Sequence, residues 1–258
     1  TGSKIIVRLN TSPDKYIKSK ITKKIFKFFY TKADMIIVND EDFKNKVNNF
    51  FKIKSKVVHN SIDIRSIDKK AKFYIKDNFF NNKTLNLISV GRLTKQKDHL
   101  TTLKALNLIK DRVKFKFLII GSGKEKKIIK SFIFNNELKN FVKIKSFTKN
   151  PYPFIKKADI FILSSTYEGS PNVLLEAGAL KTLIISTNCS TGPKQILSFG
   201  RGGYLFKTSN FKKLSKILTK MNIKDKKLKI MKNITFDKVK KYNHENQKKS
   251  LLATLDII

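Results

Sequence analysis

Short β-branched runs alternate along almost the whole chain with longer segments of helical period, and few architectures accept that pattern. The runs at 4–9, 35–38, 56–58, 85–90, 114–120, 142–145, 159–163, 182–186 and 203–206 have the length and composition of strands. Between them the helical period dominates, as in Leu100, Leu103, Leu106 and Ile109 after Asp98. Strands separated by helices pair in parallel, in sheets covered by helices on both faces. The expected fold class is therefore α/β with parallel sheets. Three strands precede about Asp63, too few for a complete doubly wound domain, and six follow a charged segment at 65–84. We expect the tail of one Rossmann-like domain with a hinge at 1–64, a complete Rossmann-like domain at 65–236, and a C-terminal helix at 237–258 that packs back toward the first. Thr1 in place of Met agrees with a fragment or a processed chain.

A content of 40% hydrophobic residues, with 11% aromatic, provides for a sizeable core in 258 residues. The net charge of +37 attracts anionic partners: an acidic membrane surface, nucleic acid or a phosphorylated substrate. No helix-turn-helix, RNA-recognition or zinc signature supports nucleic acid. A single cysteine, Cys189, excludes an intrachain disulfide, and His59, His99 and His244 are too scattered for a metal motif. No cofactor or metal is expected. There is no apolar run of about 20 residues and no signal-peptide pattern, so we expect a cytoplasmic protein, at most peripheral on the inner face of the membrane.

The most informative stretch is YEGSPNVLLEAGAL, with Glu168 and Glu176 eight residues apart. Ser170 reads as a helix N-cap and Pro171 as the first helical residue. The amides of Asn172, Val173 and Leu174 would then point out of the helix at its positive end, where an anion fits. A strand ends just before, and open α/β sheets bind ligands at the carboxyl ends of their strands. Glu168 would reach the mouth of that site. Glu176, set among Val173, Leu174, Leu175 and Ala177, needs a polar partner, because an unpaired buried carboxylate costs several kcal/mol. A pair of ligand hydroxyls would serve, and a phosphate beside hydroxyls points to a nucleotide sugar. The alternative is a solvated Glu168 and a Glu176 satisfied by a nearby Lys or Arg.

Two further strand ends face the same edge. In SVGRLTKQKDHL, Gly91 permits a tight turn, and Arg92 and Lys97 could clamp a diphosphate, one by a planar fork and the other as a point charge. In IIGSGKEKK, Gly121, Ser122 and Gly123 allow close backbone approach to a ligand. The third glycine of a dinucleotide fingerprint is absent, and Leu118 stands where a P-loop needs its first glycine, so neither NAD nor ATP binding is supported.

These segments, in the order SVGRLTKQKDHLTTLKAL, FLIIGSGKE, KNPYPFIKKADIFILSSTYEGSPNVLLEAGAL, STGPKQIL and GRGGYLF, resemble the C-terminal domain of the retaining family 4 glycosyltransferases of GT-B architecture. The upstream ADMIIVNDEDFKNKV and VVHNSID look like the end of that family's N-terminal domain and its hinge. The resemblance implies transfer of a sugar from a nucleotide-diphosphate sugar, commonly a UDP-sugar, to a glycan or lipid-linked acceptor, with retention and without metal. It also implies roles: Arg92 and Lys97 neutralise the donor diphosphate, Glu168 lies near the transferred sugar, and Glu176 binds the ribose hydroxyls. Gly91, Gly121, Ser146, Phe147, Gly169, Ser170, Pro171, Asn172, Val173 and Leu174 would surround the donor. Ser146 stands where the family usually has glycine, and Gln195 replaces a frequent glutamate. In such front-face schemes a donor phosphate oxygen is one candidate for the proton acceptor.

Other residues have plainer expected roles. His59 reads as a hinge or packing residue, Tyr152 as the start of a helix packed beneath the site, and Cys189 as a small loop or core residue. Besides a transferase, the sequence allows a nucleotide-binding remnant or scaffold without transfer and, on charge alone, a basic nucleic-acid-binding domain.

Overall fold

The structure, a computed structural model, describes residues 2–10, 13 and 17–255. All nine expected strands are present, with ends within two residues of the expected ones. β1 (Ile6–Arg8), β2 (Met35–Val38) and β3 (Lys56–Val57) form a parallel sheet in that order. β4 (Leu85–Val90), β5 (Phe115–Ile120), β6 (Val142–Lys145), β7 (Ile160–Leu163), β8 (Leu183–Thr187) and β9 (Tyr204–Phe206) form a second parallel sheet, ordered β6-β5-β4-β7-β8-β9. The order reverses between β4 and β7, and a doubly wound sheet opens its ligand crevice at such a reversal.

The small unit carries α1 (Lys20–Thr31) and α2 (Glu41–Phe51). The large unit carries α3 (Ile64–Ala71), α4 (His99–Asn107), α5 (Lys126–Asn135), α6 (Tyr152–Lys157), α7 (Asn172–Ala179), α8 (Pro193–Ile196), α9 (Phe211–Thr219) and α10 (Lys226–Lys240). Successive strand residues point to opposite faces. Leu87, Phe117, Ile119, Ile160 and Ile162 therefore enter one core layer with Leu103 and Leu106 of α4. Ile88, Leu118, Phe161 and Leu163 enter the other, with Ile155, Leu174 and Leu175 from α6 and α7. The Asp98 carboxylate caps α4 by accepting from the Thr101 amide at 3.2 Å. That helix ends at Asn107, so Ile109 lies beyond it but stays buried.

Both expected domain limits need correction. The charged segment at 65–84 begins as α3, capped by Asp63, with Ile67 and Ala71 buried. Ile67 belongs to the same core layer as α6 and α7, so α3 is part of the large unit. The limit at 236/237 falls inside α10, because that helix buries Met231, Thr235 and Val239 on the large unit through to Lys240. The chain crosses back at Tyr242 and Asn243, where the Ile62 amide donates to the Tyr242 carbonyl at 2.8 Å. The His59 ring packs edge-on against Tyr242, with centroids 5.0 Å apart. A separate α11 (His244–Leu255) follows, and its Leu251 packs on Met35, Ile37 and Val58 of the small unit. The end of the expected terminal helix, 256–258, lies outside the described residues, as does Thr1. Among the described residues, no helix is long and apolar enough to cross a membrane.

Candidate functional site

The loops after β4, β5 and β7 meet at the reversal of strand order. The Leu93 amide donates to the Ser122 carbonyl and the Glu125 amide to the Leu93 carbonyl, both at 2.9 Å. A Cβ on Gly121 would lie 1.9 Å from the Gly91 carbonyl oxygen, and one on Gly123 2.3 Å from that of Leu93. These glycines are thus required first by loop-on-loop packing; the sequence had assigned their small size to ligand approach. The Thr166 amide donates to the Gln96 carbonyl at 2.8 Å, and the Gln96 side chain returns a bond to the Tyr167 carbonyl at 3.0 Å. The loops after β4 and β7 therefore form one wall.

Inside that wall is a buried ion pair. Lys97 Nζ lies 2.7 Å from Glu168 Oε1, their side chains 13% and 7% exposed. The Ser165 hydroxyl donates to the same carboxylate, and the Thr191 hydroxyl donates to the Glu168 carbonyl. The Lys97 stem runs past Gly91, where a Cβ would approach Lys97 Cε to 3.4 Å. Glu168 is neither solvated nor at an open mouth; it holds Lys97. Arg92, five residues away, is exposed, with Nη2 3.4 Å from Gln96 Oε1. The two cations are therefore not equivalent: one is fixed and buried, the other outward.

A cavity of about 490 Å³ opens beside them, its wall including Gly91, Arg92, Gly121, Phe147, Val173 and Glu176. Burial pushes the Glu176 carboxyl above its ordinary range, and the nearby Tyr152 phenol offsets part of that. Burial and then Glu176 raise the Tyr152 phenol in turn. Among the described residues no Lys or Arg forms an ion pair with Glu176, and Tyr152 stands on the same cavity wall. Nearby, His99 is 3% exposed, and burial lowers its pKa to about 4, so its imidazole stays neutral. The Cys189 thiol is pushed up to about 11, mainly by burial, as suits a packed cysteine.

The helix start differs from expectation. Pro171 is the N-cap of α7, and no side chain caps the helix. The Asn172 amide donates to the Ser170 carbonyl at 2.9 Å and the Leu174 amide to the Pro171 carbonyl at 2.8 Å. Of the three amides expected to be free, two are thus engaged, because the chain turns tightly over Ser170 and Pro171 before the helix begins. Leu174 is a core residue, Pro171 packs where a Cβ on Gly192 would meet its ring, and Gly169 lines neither this cavity nor the next. Ser146 is exposed and off the cavity wall, its exposed neighbour Phe147 is on it, and Gln195 is also outside.

Ser170 and Asn172 face a second space, a cleft of about 840 Å³ between the units, shared with Arg8, His59, His244 and Lys248. The Asn60 amide crosses it to Asn172 Oδ1 at 2.7 Å. His59 Nδ1 sits 2.8 Å from the Asn39 carbonyl oxygen, which fits a hinge residue. Sequence reasoning missed Tyr152 as a site residue; the signal present was its place in the NPYP segment, between a strand end and the next helix.

Among curated relatives, an uncharacterized glycosyltransferase of Methanocaldococcus jannaschii is 31% identical over 212 residues, covering 76% of this chain and 51% of that protein. The N-acetylgalactosamine-N,N'-diacetylbacillosaminyl-diphospho-undecaprenol 4-alpha-N-acetylgalactosaminyltransferase of Campylobacter jejuni is 29% identical over 254 residues, covering 92% of this chain and 67% of that one. The chain thus spans between about half and two thirds of the length of these relatives. The crystal structure of Anabaena HepE in complex with UDP and glucose superimposes with a TM-score of 0.83 at 16% identity, over 99% of this chain and 72% of that one. The fold is that of the GT-B glycosyltransferases. With residues 70–237 matched by the family glycosyl transferases group 1, the large unit and its switch-point site place this chain in that family.

Proposed function

We propose that this chain carries the donor-binding part of a retaining family 4 glycosyltransferase. It moves a hexose or N-acetylhexosamine from a UDP-sugar to a glycan or lipid-linked acceptor in cell-envelope polysaccharide synthesis. The observation that carries this reading is the cavity at the strand-order reversal, with Arg92 and Glu176 on its wall and the Lys97–Glu168 pair beside it. The Campylobacter relative acts on a diphospho-undecaprenol-linked acceptor, and the Anabaena structure holds UDP and glucose; both support it.

As the bond to the nucleotide breaks, negative charge grows on the diphosphate and the sugar becomes oxocarbenium-like. Cations fixed on the leaving group therefore help most in the transition state. Lys97 has three donors, so it can keep Glu168 and still reach a phosphate oxygen. Arg92 offers its fork from the outer side. In this reading Glu168 fixes Lys97 and lies near the transferred sugar, while Glu176 receives the ribose hydroxyls. The diphosphate is neutralised by these side chains and needs no metal. The +37 charge favours an anionic lipid surface on the cytoplasmic side as the place of reaction.

Calorimetric titration with a panel of UDP- and GDP-sugars, with and without magnesium, tests the proposal together with Arg92→Ala. One donor should bind regardless of metal and lose at least about tenfold in the variant, the scale of one lost charge-assisted bond. Failure of every donor to bind a demonstrably folded chain would overturn the donor site. The anomer of the product, read by NMR, tests retention.

A further inference from the structure

The two units meet across the cleft through a relay of three side chains. Arg8 on β1 donates from Nη2 to the Val58 carbonyl at 3.2 Å and to Asn60 Oδ1 at 2.9 Å. Asn60 Nδ2 donates in turn to Oδ1 of Asn172, at the start of α7, at 2.7 Å. All three residues line the cleft of about 840 Å³.

The first bond fixes the direction of the second. A guanidinium only donates, so the Asn60 atom facing Arg8 must be its oxygen. The Asn60 nitrogen then faces α7, and Asn172 must present its own oxygen to it. Asparagine at a hinge often serves the backbone, because it tolerates a positive φ. Asn60 is not among the residues with positive φ. Nor does its amide serve a local turn, since its side-chain partners lie 52 residues back and 112 residues on. What the position uses is a side chain with an acceptor and a donor set side by side.

The neighbouring hinge contacts fasten the two chain crossings to each other. The Ile62 amide bonds the Tyr242 carbonyl, and the His59 ring packs on Tyr242. Such a fastening marks a pivot about which the units can turn. A tie on the cleft wall, from β1 to α7, opposes that turn.

We infer that Asn60 is a two-armed latch that holds the small unit against the start of α7 and so sets the width of the cleft. Both arms are exposed to water, so the latch biases the closed arrangement rather than locking it. Losing one ordinary hydrogen bond shifts such an equilibrium about fivefold. The inference does not depend on which ligand the cavity beside Glu176 takes.

The test measures the spacing of the units in the full chain. Nitroxide labels on Asn49→Cys of α2 and Lys127→Cys of α5, both exposed positions, report it by pulsed electron paramagnetic resonance; Cys189 is buried and stays in place. The parent should give one principal distance. Asn60→Leu keeps the bulk and removes both arms, so it should add a longer distance and raise the ratio of open to closed about fivefold. Asn60→Asp and Asn172→Asp should each keep the parent distance. In the first, the new carboxylate still accepts from Arg8, and the Asn172 amide can turn its nitrogen toward it. In the second, Asn60 still donates, now to a carboxylate. The double variant Asn60→Asp/Asn172→Asp sets two carboxylates face to face with no proton between them, and should open the cleft at least as much as Asn60→Leu. An unchanged distance in Asn60→Leu overturns the inference, as does a double variant that stays closed or a parent already spread over many distances. Opening in the two single carboxylate variants equal to that of the double one also overturns it, because charge or loss of fold would then be the cause.

Discussion

The two sheets are made of the same kind of strand but are covered very differently. In the six-stranded sheet every central strand has partners on both sides and helices on both faces, and Leu87, Ile88, Phe117, Ile160 and Phe161 are completely buried. The three-stranded sheet has one central strand. Its larger core layer is Leu9, Ile17, Ile36, Val38, Phe43, Val47 and Phe51, and its other layer is Met35, Ile37 and Val58 under Leu251 of α11. α1 buries no residue fully, and Ile21, Ile25, Phe28 and Phe29 are each half exposed or more. Width decides this, because apolar side chains are removed from water only where a second layer reaches them. The small unit borrows cover from the end of the chain, while the large unit supplies its own core and the whole of the cavity beside Glu176.

That contrast can be broken experimentally. Phe117→Ala and Phe51→Ala should each cost about 3–5 kcal/mol, the usual penalty for emptying a buried phenylalanine site. Phe117→Ala should abolish nucleotide binding with the fold. Phe51→Ala should loosen only the small unit, seen as faster amide exchange in β1–β3 with nucleotide binding kept. Loss of binding in Phe51→Ala would mean that the two units unfold as one.

A comparable effect is expected at Glu168. Removing it as Glu168→Ala strands the Lys97 ammonium in a nearly closed site, and breaking a buried pair in this way costs about 3–5 kcal/mol. Urea unfolding of the large unit reads it, and a loss under 1 kcal/mol would mean that water reaches Lys97.

His99 contributes a dependence on pH. Its pKa is about 4 when folded and 6.5 when free, so the unfolded chain binds the proton more readily. Stability is then full above pH 6.5 and falls as the pH drops toward 4, by an amount on the order of 3 kcal/mol at the limit. The denaturant midpoint at pH 5 against pH 7 measures it, and His99→Asn should remove that part of the slope. The smallest change should be Lys249→Ala, whose partner Glu245 and own side chain are both about three-quarters exposed. A shift beyond about 0.5 kcal/mol would be more than such surface pairs usually carry.

Much of this molecule is legible in its residues. The inner strands β4, β5, β7 and β8 are mostly apolar runs, the pattern of a sheet buried on both faces, while the edge strand β6 alternates as VKIK, and Asp98 before an apolar repeat marks the start of α4. Three features resisted. Ser170 looked like a cap because the preference of serine for that position is local, whereas the turn over Ser170 and Pro171 moves the helix start one residue on. The glycines after β5 looked like ligand contacts, yet Gly91 and Leu93, some 30 residues earlier, press on them. Glu176 called for a polar neighbour, and the phenol that shares its cavity wall, Tyr152, lies 24 residues upstream on another helix.

The sequence by itself determined the class of fold, the strands of the described residues and the turns at the ends of β4 and β5 that border the cavity, because periodicity and turn residues act through neighbours in the chain. Only the tertiary structure decided that Lys97 is committed to Glu168 while Arg92 stays open to solvent, and that Tyr152 and Glu176 share one cavity wall. Those pairings depend on strand order, β4 beside β7 and α6 beside α7, and strand order is chosen by the burial of whole faces at once.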